Sequence, residues 1–276
     1  MPYRSILVPA RGTEDETIAL NAAADLAAEQ GGRVTVLFAQ PPAAVQLSYV
    51  SPPGFYIDAG LVSEVQAGIE TTRAKVRQHA REAAERAQLA YGSDMVVVEE
   101  ERALLDAILP RLPVTDLMLA APSCAMSEFT AQALLQARTP VLIAREGLTL
   151  KPATIAIGWD GGLNAGRAVR AAMPLLGQAE RVVVLQQADC LPGHRRDAAD
   201  PARLGDYLAL HGVEVEFESI AGDGDTGDAI LQAARCCEAD ILVCGAWGHS
   251  RVAEFVFGGV TRKVIGAAWP SVLLAH

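Results

Sequence analysis

Ile6-Leu7-Val8-Pro9-Ala10-Arg11-Gly12 returns 149 residues later as Ile155-Ala156-Ile157-Gly158-Trp159-Asp160-Gly161, an apolar run that breaks into a glycine turn. Two further pairs follow in the same order. Asp106-Ala107-Ile108-Leu109 recurs as Asp228-Ala229-Ile230-Leu231, and Asp116-Leu117-Met118-Leu119 as Asp240-Ile241-Leu242-Val243. One such match is chance level; three in order point to duplication of a whole domain, with a period too long for a solenoid. The 276 residues divide into two units of about 140, each able to bury its own core. We place the units at residues 1–147 and 148–276, joined by a short polar link containing Gly147.

Within each unit, short β-rich runs alternate with amphipathic stretches. Strands are predicted near residues 4–10, 33–39, 94–99, 115–121 and 140–145, then near 153–159, 181–187, 213–219, 239–245 and 271–275. Helices are predicted near 14–30, 63–91, 102–111 and 126–138, then near 163–177, 200–212, 227–238 and 257–268. Strands alternating with helices mean βαβ units and a parallel sheet. Val182-Val183-Val184-Leu185 and Ile241-Leu242-Val243-Cys244 are continuous apolar runs, as strands covered on both faces require. The predicted fold is α/β: two tandem doubly wound sandwiches, each with a five-stranded, mainly parallel sheet. Residues 40–61, rich in proline and apolar side chains, read as a long loop that folds over the first unit's own cleft.

Composition narrows the function classes. The net charge is −10, from 23 basic and 33 acidic residues, and both halves are acidic. That argues against nucleic acid and anionic membrane as partners, because phosphate-backbone binding rests on neutralisation by Lys and Arg. The five cysteines form no C-x2-C pair, so neither a zinc knuckle nor a thioredoxin-type motif is on offer. Cys236 and Cys237 read as two small residues of a helix. The amino terminus shows no basic segment followed by an apolar one, and the longest uncharged stretch is broken by Pro41, Pro42, Pro52 and Pro53. The expected location is the cytoplasm.

Open parallel sheets bind ligands beyond the carboxyl ends of their strands, where strand order reverses. In the second half that directs attention to the residues after Trp159 and after Cys244. The latter stretch carries Gly245, Gly248, Gly258 and Gly259, spaced G-x2-G, nine residues, then G-G-x-T. Such glycines let the backbone approach an anion, and Gly258, Gly259, Val260 and Thr261 open a helix whose free N–H groups favour phosphate. His249, Arg251 and Lys263 are polar or cationic candidates nearby. The spacing fits neither a Walker A loop nor the dinucleotide fingerprint. The run from Gly161 to Gly166 reads as a turn and the start of a helix.

With these motifs in hand, the second half resembles a universal stress protein domain of the ATP-binding subtype. The family pattern G-x2-G-x9-G-[ST] falls on Gly245, Gly248 and Gly258, and its aspartate after the first strand falls on Asp160. The first half resembles the same family through Ile6-Leu7-Val8-Pro9, Val34-Thr35-Val36-Leu37 and Thr139-Pro140-Val141-Leu142. The resemblance implies an adenine nucleotide alpha hydrolase-like fold and ATP, with or without Mg²⁺, as the ligand. It implies that Asp160 meets the ribose or adenine side, Gly158 and Trp159 line the base pocket, and backbone at Gln187 and Cys244 flanks adenine. It gives the phosphates to Gly245, Gly248, Gly258, Gly259, Val260 and Thr261. It further implies that the edge strands at 141–144 and 272–275 pair across the halves as an internal pseudo-dimer, which can dimerise again.

Two departures stand out. Gly259 occupies the position where the family carries Ser or Thr, and Thr261 is a second hydroxyl nearby. The first half lacks the glycine motif, reading Pro122-Ser123-Cys124-Ala125-Met126 after Ala121, and has Arg11 where Asp160 stands. No nucleotide is expected there; Arg11 reads as part of a surface or interdomain salt bridge. Asp225 or Thr226 reads as a helix cap rather than a cation ligand. Glu99-Glu100-Glu101 and His194-Arg195-Arg196 read as solvated loops, and the five histidines show no ligand spacing. The reading is a stress-response protein acting by nucleotide binding rather than turnover. The alternatives are a slow ATPase or phosphotransferase using His249 or Asp160, and an interaction scaffold with both sites dead.

Overall fold

The computed structural model describes residues 2–52, 56–191, 197–222, 224–246 and 259–276. All ten strands stand where the apolar runs place them. They are β1 (Ser5–Ala10), β2 (Arg33–Ala39), β3 (Met95–Glu100), β4 (Leu117–Ala120), β5 (Val141–Ile143), β6 (Thr154–Gly158), β7 (Arg181–Gln186), β8 (Glu216–Ser219), β9 (Ile241–Gly245) and β10 (Ser271–Ala275). The helices are α1 (Glu16–Gln30), α2 (Ala43–Val50), α3 (Ala59–Arg86), α4 (Leu104–Ile108), α5 (Glu128–Gln132), α6 (Leu163–Leu176), α7 (Pro201–Leu210), α8 (Thr226–Cys236) and α9 (Gly259–Gly266).

The strands form one sheet in the order β3-β2-β1-β4-β5-β10-β9-β6-β7-β8. Each half contributes its own strands in the same internal order, and the two meet at β5 and β10. That junction is antiparallel, Ile143 opposite Val272 and Val141 opposite Leu274; the pairings within each half are parallel. The cross-half pairing is the one the resemblance implies. It also consumes both strands, so a further dimer through them has no free edge to use.

The outer edges are β3 and β8, and both are charged. Glu99 and Glu100, expected in a loop, are the last residues of β3. Glu99 meets Arg77 at 2.5 Å, and Glu100 pairs with Arg102 and Arg111. Glu216 of β8 takes Arg181 at 2.7 Å. Charged side chains of this kind protect an open edge from pairing with another chain.

Both sheet faces are covered by apolar layers that run through the two halves. One joins Ile6, Val8, Leu20 and Val36 to Ile155, Ile157, Val169 and Leu175. The other joins Leu37, Met118 and Phe129 to Ala156, Leu185, Ile230 and Val264. Neighbouring residues of β6 therefore serve opposite layers, the period-2 alternation of a strand.

Polar ties reinforce the seam. The Tyr3 hydroxyl donates to the Ala171 carbonyl. Arg145, 3% exposed, donates to the carbonyls of Val264 at 3.2 Å and Ile265 at 2.7 Å, near the carboxyl end of α9. Burial draws its pKa down to about 10, which still leaves a cation where a helix end favours one.

The segment at 40–61 differs from expectation. Its first part is helix α2, which buries Ala43 and Leu47 four residues apart and packs against α3. Pro42 fixes the extended entry to that helix (φ −52°, ψ 147°). Tyr49, Val50 and Tyr56 remain exposed. Cys236 ends α8 and Cys237 caps it, and all five thiols are free. No helix among the described residues is long and apolar enough to cross a membrane.

Candidate functional site

In the second half strand order reverses between β6 and β9, and there Gly158 lies opposite Cys244. On its other side Gly158 pairs with Leu185 of β7. A Cβ on Gly158 would approach Cys244 Cβ at 3.4 Å and Ile230 Cδ1 at 3.7 Å, so this residue faces the α8–α9 layer together with Cys244. Trp159 faces the other way. Its ring packs against the layer that holds Ile155 and Ile157, while its backbone N–H donates to the Leu185 carbonyl at 3.0 Å. The indole thus lies on the opposite face of the sheet from Gly158. Its Nε1 is buried without a partner.

Asp160 begins the turn into α6, its Oδ1 accepting from the Gly162 N–H at 2.8 Å. Burial raises the Cys244 thiol to about 12, with the Asp160 charge acting in the same direction. At neutral pH that sulfur is a packed thiol, not a nucleophile.

The glycines divide by purpose. Gly245 reads in the sequence as a contact for an anion, yet its bare Cα is demanded by α6. A Cβ there would stand 2.5 Å from the Ala165 nitrogen and 2.7 Å from the Asn164 carbonyl carbon. Gly161 (φ +68°) is pressed equally closely, with Ala199 N at 2.4 Å from its ideal Cβ. Gly259 differs. It opens α9, and a Cβ there would meet nothing within 4 Å among the described residues outside the helix. Val260 follows it, and Thr261, 4% exposed, completes the first turn. Gly248, Gly258, His249, Arg251 and the run His194-Arg195-Arg196 lie outside the described residues.

Lys263, a candidate phosphate cation in the sequence, is already engaged. Its ammonium meets Asp225 at 3.0 Å and also pairs with Asp228. Asp225 caps α8 as expected, accepting from the Gly227 N–H at 2.9 Å and the Asp228 N–H at 3.2 Å. Lys263 first, and then these amides, hold its carboxyl below the usual range.

Gln187, just past β7, is 5% exposed. Its Nε2 donates to the carbonyls of Gly222 at 2.9 Å and Gly224 at 3.4 Å, and its Oε1 is buried with no partner.

Two residues at this end of the sheet were not singled out by sequence. Asn164 Nδ2 donates to the Ala246 carbonyl at 2.8 Å, and His276 Nδ1 lies 2.9 Å from the same oxygen. The available signal was position alone. Asn164 sits in the first turn after an expected strand-to-helix loop, and His276 directly follows an expected strand.

The first half has filled the equivalent place with its own carboxylates. Asp15 accepts from the Ser123 N–H at 2.7 Å and its hydroxyl at 3.0 Å, just past β4. Burial opposes the Asp15 charge, but Ser123 and Thr13 outweigh it and hold the carboxyl below its ordinary value. Glu16, 1% exposed, accepts from the N–H groups of Arg11 at 2.9 Å and Gly12 at 2.8 Å. His79 of α3 closes over it at 3.1 Å. Amides that could otherwise face an anion are thus satisfied internally. Arg11 makes no ion pair among the described residues, and the salt bridge read for it is not formed there. It lies beside Cys124, whose thiol burial raises.

Removing the Glu16 carboxylate should show the weight of this arrangement. Glu16→Ala leaves two loop amides without an acceptor, at an expected cost of about 2–4 kcal/mol. Glu16→Gln keeps a neutral acceptor and should cost roughly half as much. Urea unfolding midpoints measure both, and a Glu16→Ala midpoint equal to wild type contradicts the account.

The comparisons with known proteins follow this geometry. The model of the universal stress protein family matches residues 2–145 and, a second time, residues 153–276. Among solved structures, a universal stress protein from Archaeoglobus fulgidus DSM 4304 superposes with a TM-score of 0.69 at 15% identity, with 98% of this chain and 97% of that chain covered. A functionally unknown protein from Pseudomonas aeruginosa PAO1 superposes with a TM-score of 0.58 at 16% identity, covering 99% and 92%. At such identities the likeness is one of fold. No curated protein sequence matches the chain.

Proposed function

The chain belongs to the universal stress protein family, and from that premise we propose that its second half binds ATP or a related adenine nucleotide and acts through binding rather than turnover. In this reading the base lies over Gly158 and Cys244 and is flanked by Gln187. Trp159 contributes only its backbone, since its ring serves the opposite layer. Asp160 stands at the ribose side. Gly259, Val260 and Thr261 receive the phosphates at the start of α9, with Gly245 holding α6 close beside them. The family pattern adds Gly248 and Gly258.

The observation that carries the reading is the space at Gly259. A helix begins there, and among the described residues outside that helix no atom lies within 4 Å of where a side chain would start, at the end of the sheet where strand order reverses. Helix starts of this kind accept anions through their free N–H groups and dipole. Two features favour binding over chemistry. Lys263 is held by Asp225 and Asp228, and the Cys244 thiol stays protonated; neither is offered to phosphoryl transfer, which depends on positioned charge. Any Mg²⁺ would arrive with the triphosphate, as no metal-holding cluster occurs among the described residues.

Calorimetry with millimolar ATP and Mg²⁺ should give one site per chain. At a hundredfold excess over Kd, binding should add about 2.7 kcal/mol to stability and raise the melting temperature accordingly. Mass spectrometry of small molecules released from the denatured purified protein should find adenine nucleotide. No heat and no melting shift would overturn the proposal.

A further inference from the structure

We propose that the side chain of Gln187, and not only the backbone around it, selects the base by accepting a hydrogen bond from an exocyclic amine, so that the site takes a 6-amino purine and refuses a 6-oxo purine. The inference rests on the nucleotide reading above and makes it more specific.

Gln187 is nineteen-twentieths buried, with 5% of its surface exposed. Its amide is not free to turn. Nε2 donates to the carbonyl oxygens of Gly222 and Gly224, and the flipped amide would set Oε1 against both of those acceptors. The orientation is therefore fixed, and Oε1 is left buried without a donor among the described residues. Buried polar atoms are nearly always satisfied, and an exception calls for a missing partner. The residue lies two positions past Leu185, which pairs with Gly158, so it stands at the carboxyl end of β7, where the proposed base lies.

An acceptor fixed in this way discriminates by sign. Adenine offers two N–H donors on its exocyclic amine. Hypoxanthine and guanine offer an oxygen at the same carbon, which would set two lone pairs against each other in a buried place. Sites built around a fixed hydrogen bond reject the analogue that cannot make it far more strongly than apolar pockets reject a wrong shape.

The test compares ATP with inosine triphosphate on the full chain by calorimetry. Wild type should bind ATP at least about thirtyfold more tightly. Gln187→Leu should bring the two ligands to within about threefold, chiefly by weakening ATP. Gln187→Met, unbranched like glutamine, serves if the leucine variant does not fold. Equal affinity of wild type for both triphosphates overturns the inference and leaves the nucleotide site standing. Discrimination that survives in the variant also overturns it, by assigning selection to the backbone. Binding of neither ligand overturns the inference together with the site it rests on.

Discussion

Gly259→Asp is expected to abolish nucleotide binding while leaving the protein folded. The first residue of α9 has room for a side chain, with no atom of the described residues outside the helix within 4 Å of its ideal Cβ. A carboxylate at a helix start also favours the helix by about 0.3–1 kcal/mol. The melting temperature without ligand should therefore hold or rise slightly. The same carboxylate would sit where the proposed site receives phosphate. Two like charges about 4 Å apart repel by roughly 4 kcal/mol at an effective dielectric near 20, before screening by salt. Affinity for ATP should fall at least about a hundredfold, and the loss should shrink as ionic strength rises. Gly259→Ser is the converse. It restores a hydroxyl where the family pattern carries one and should tighten binding by about threefold to tenfold. Calorimetry and thermal melting on the three proteins decide the matter. An aspartate variant that binds ATP like wild type would remove α9 from the site and the proposed function with it.

What the sequence could and could not reveal follows from where the information lies. Strands such as Val182–Val184 announce themselves because a parallel sheet buries both faces, and the run is apolar throughout. The same property hides the direction of any one side chain. Alternation puts Ile155, Ile157 and Trp159 on one side and Ala156 and Gly158 on the other, but with both sides apolar nothing in the sequence says which side holds the cleft. Trp159 could not be placed until the layers were known.

Short elements and distant partners were similarly out of reach. Helix α2 buries only Ala43 and Leu47, too little periodicity to distinguish it from the proline-rich stretch around it. Glu99 and Glu100 read as a solvated run because Arg77 and Arg111, which meet them, lie far from them in the sequence. Asp15 and Glu16 fall at the start of the helix predicted near 14–30. Glu16 occupies the nearby amides of Arg11 and Gly12, but the Asp15 contact to Ser123 becomes visible only when β1 and β4 lie side by side. The glycine motif was legible as a pattern, but not the division of labour within it.

That division can be measured at Gly245. Gly245→Ala is expected to destabilise the protein by about 2–3 kcal/mol, the upper part of the range for overpacking. The added Cβ would stand 2.5 Å from the Ala165 nitrogen and 2.7 Å from the Asn164 carbonyl carbon. These are backbone atoms, so no side-chain rotation relieves the clash. Helix α6 would have to withdraw from β9 and β10, which it covers, and the Asn164 contact to the Ala246 carbonyl would go with it. For a chain of this size the melting temperature should fall by roughly 4–12 °C, in the absence of any nucleotide. Gly158→Ala, on the neighbouring strand, is the control. Its Cβ would meet Cys244 and Ile230 at 3.4 Å and beyond, ordinary contact, and should cost less than about 1 kcal/mol. If Gly245 served only the ligand, its alanine variant would melt like wild type and differ solely in ATP affinity. A large loss of stability in the unliganded protein, set against a small one at Gly158, assigns the first glycine of the motif to packing α6 on the sheet. The phosphate contacts would then fall to the start of α9.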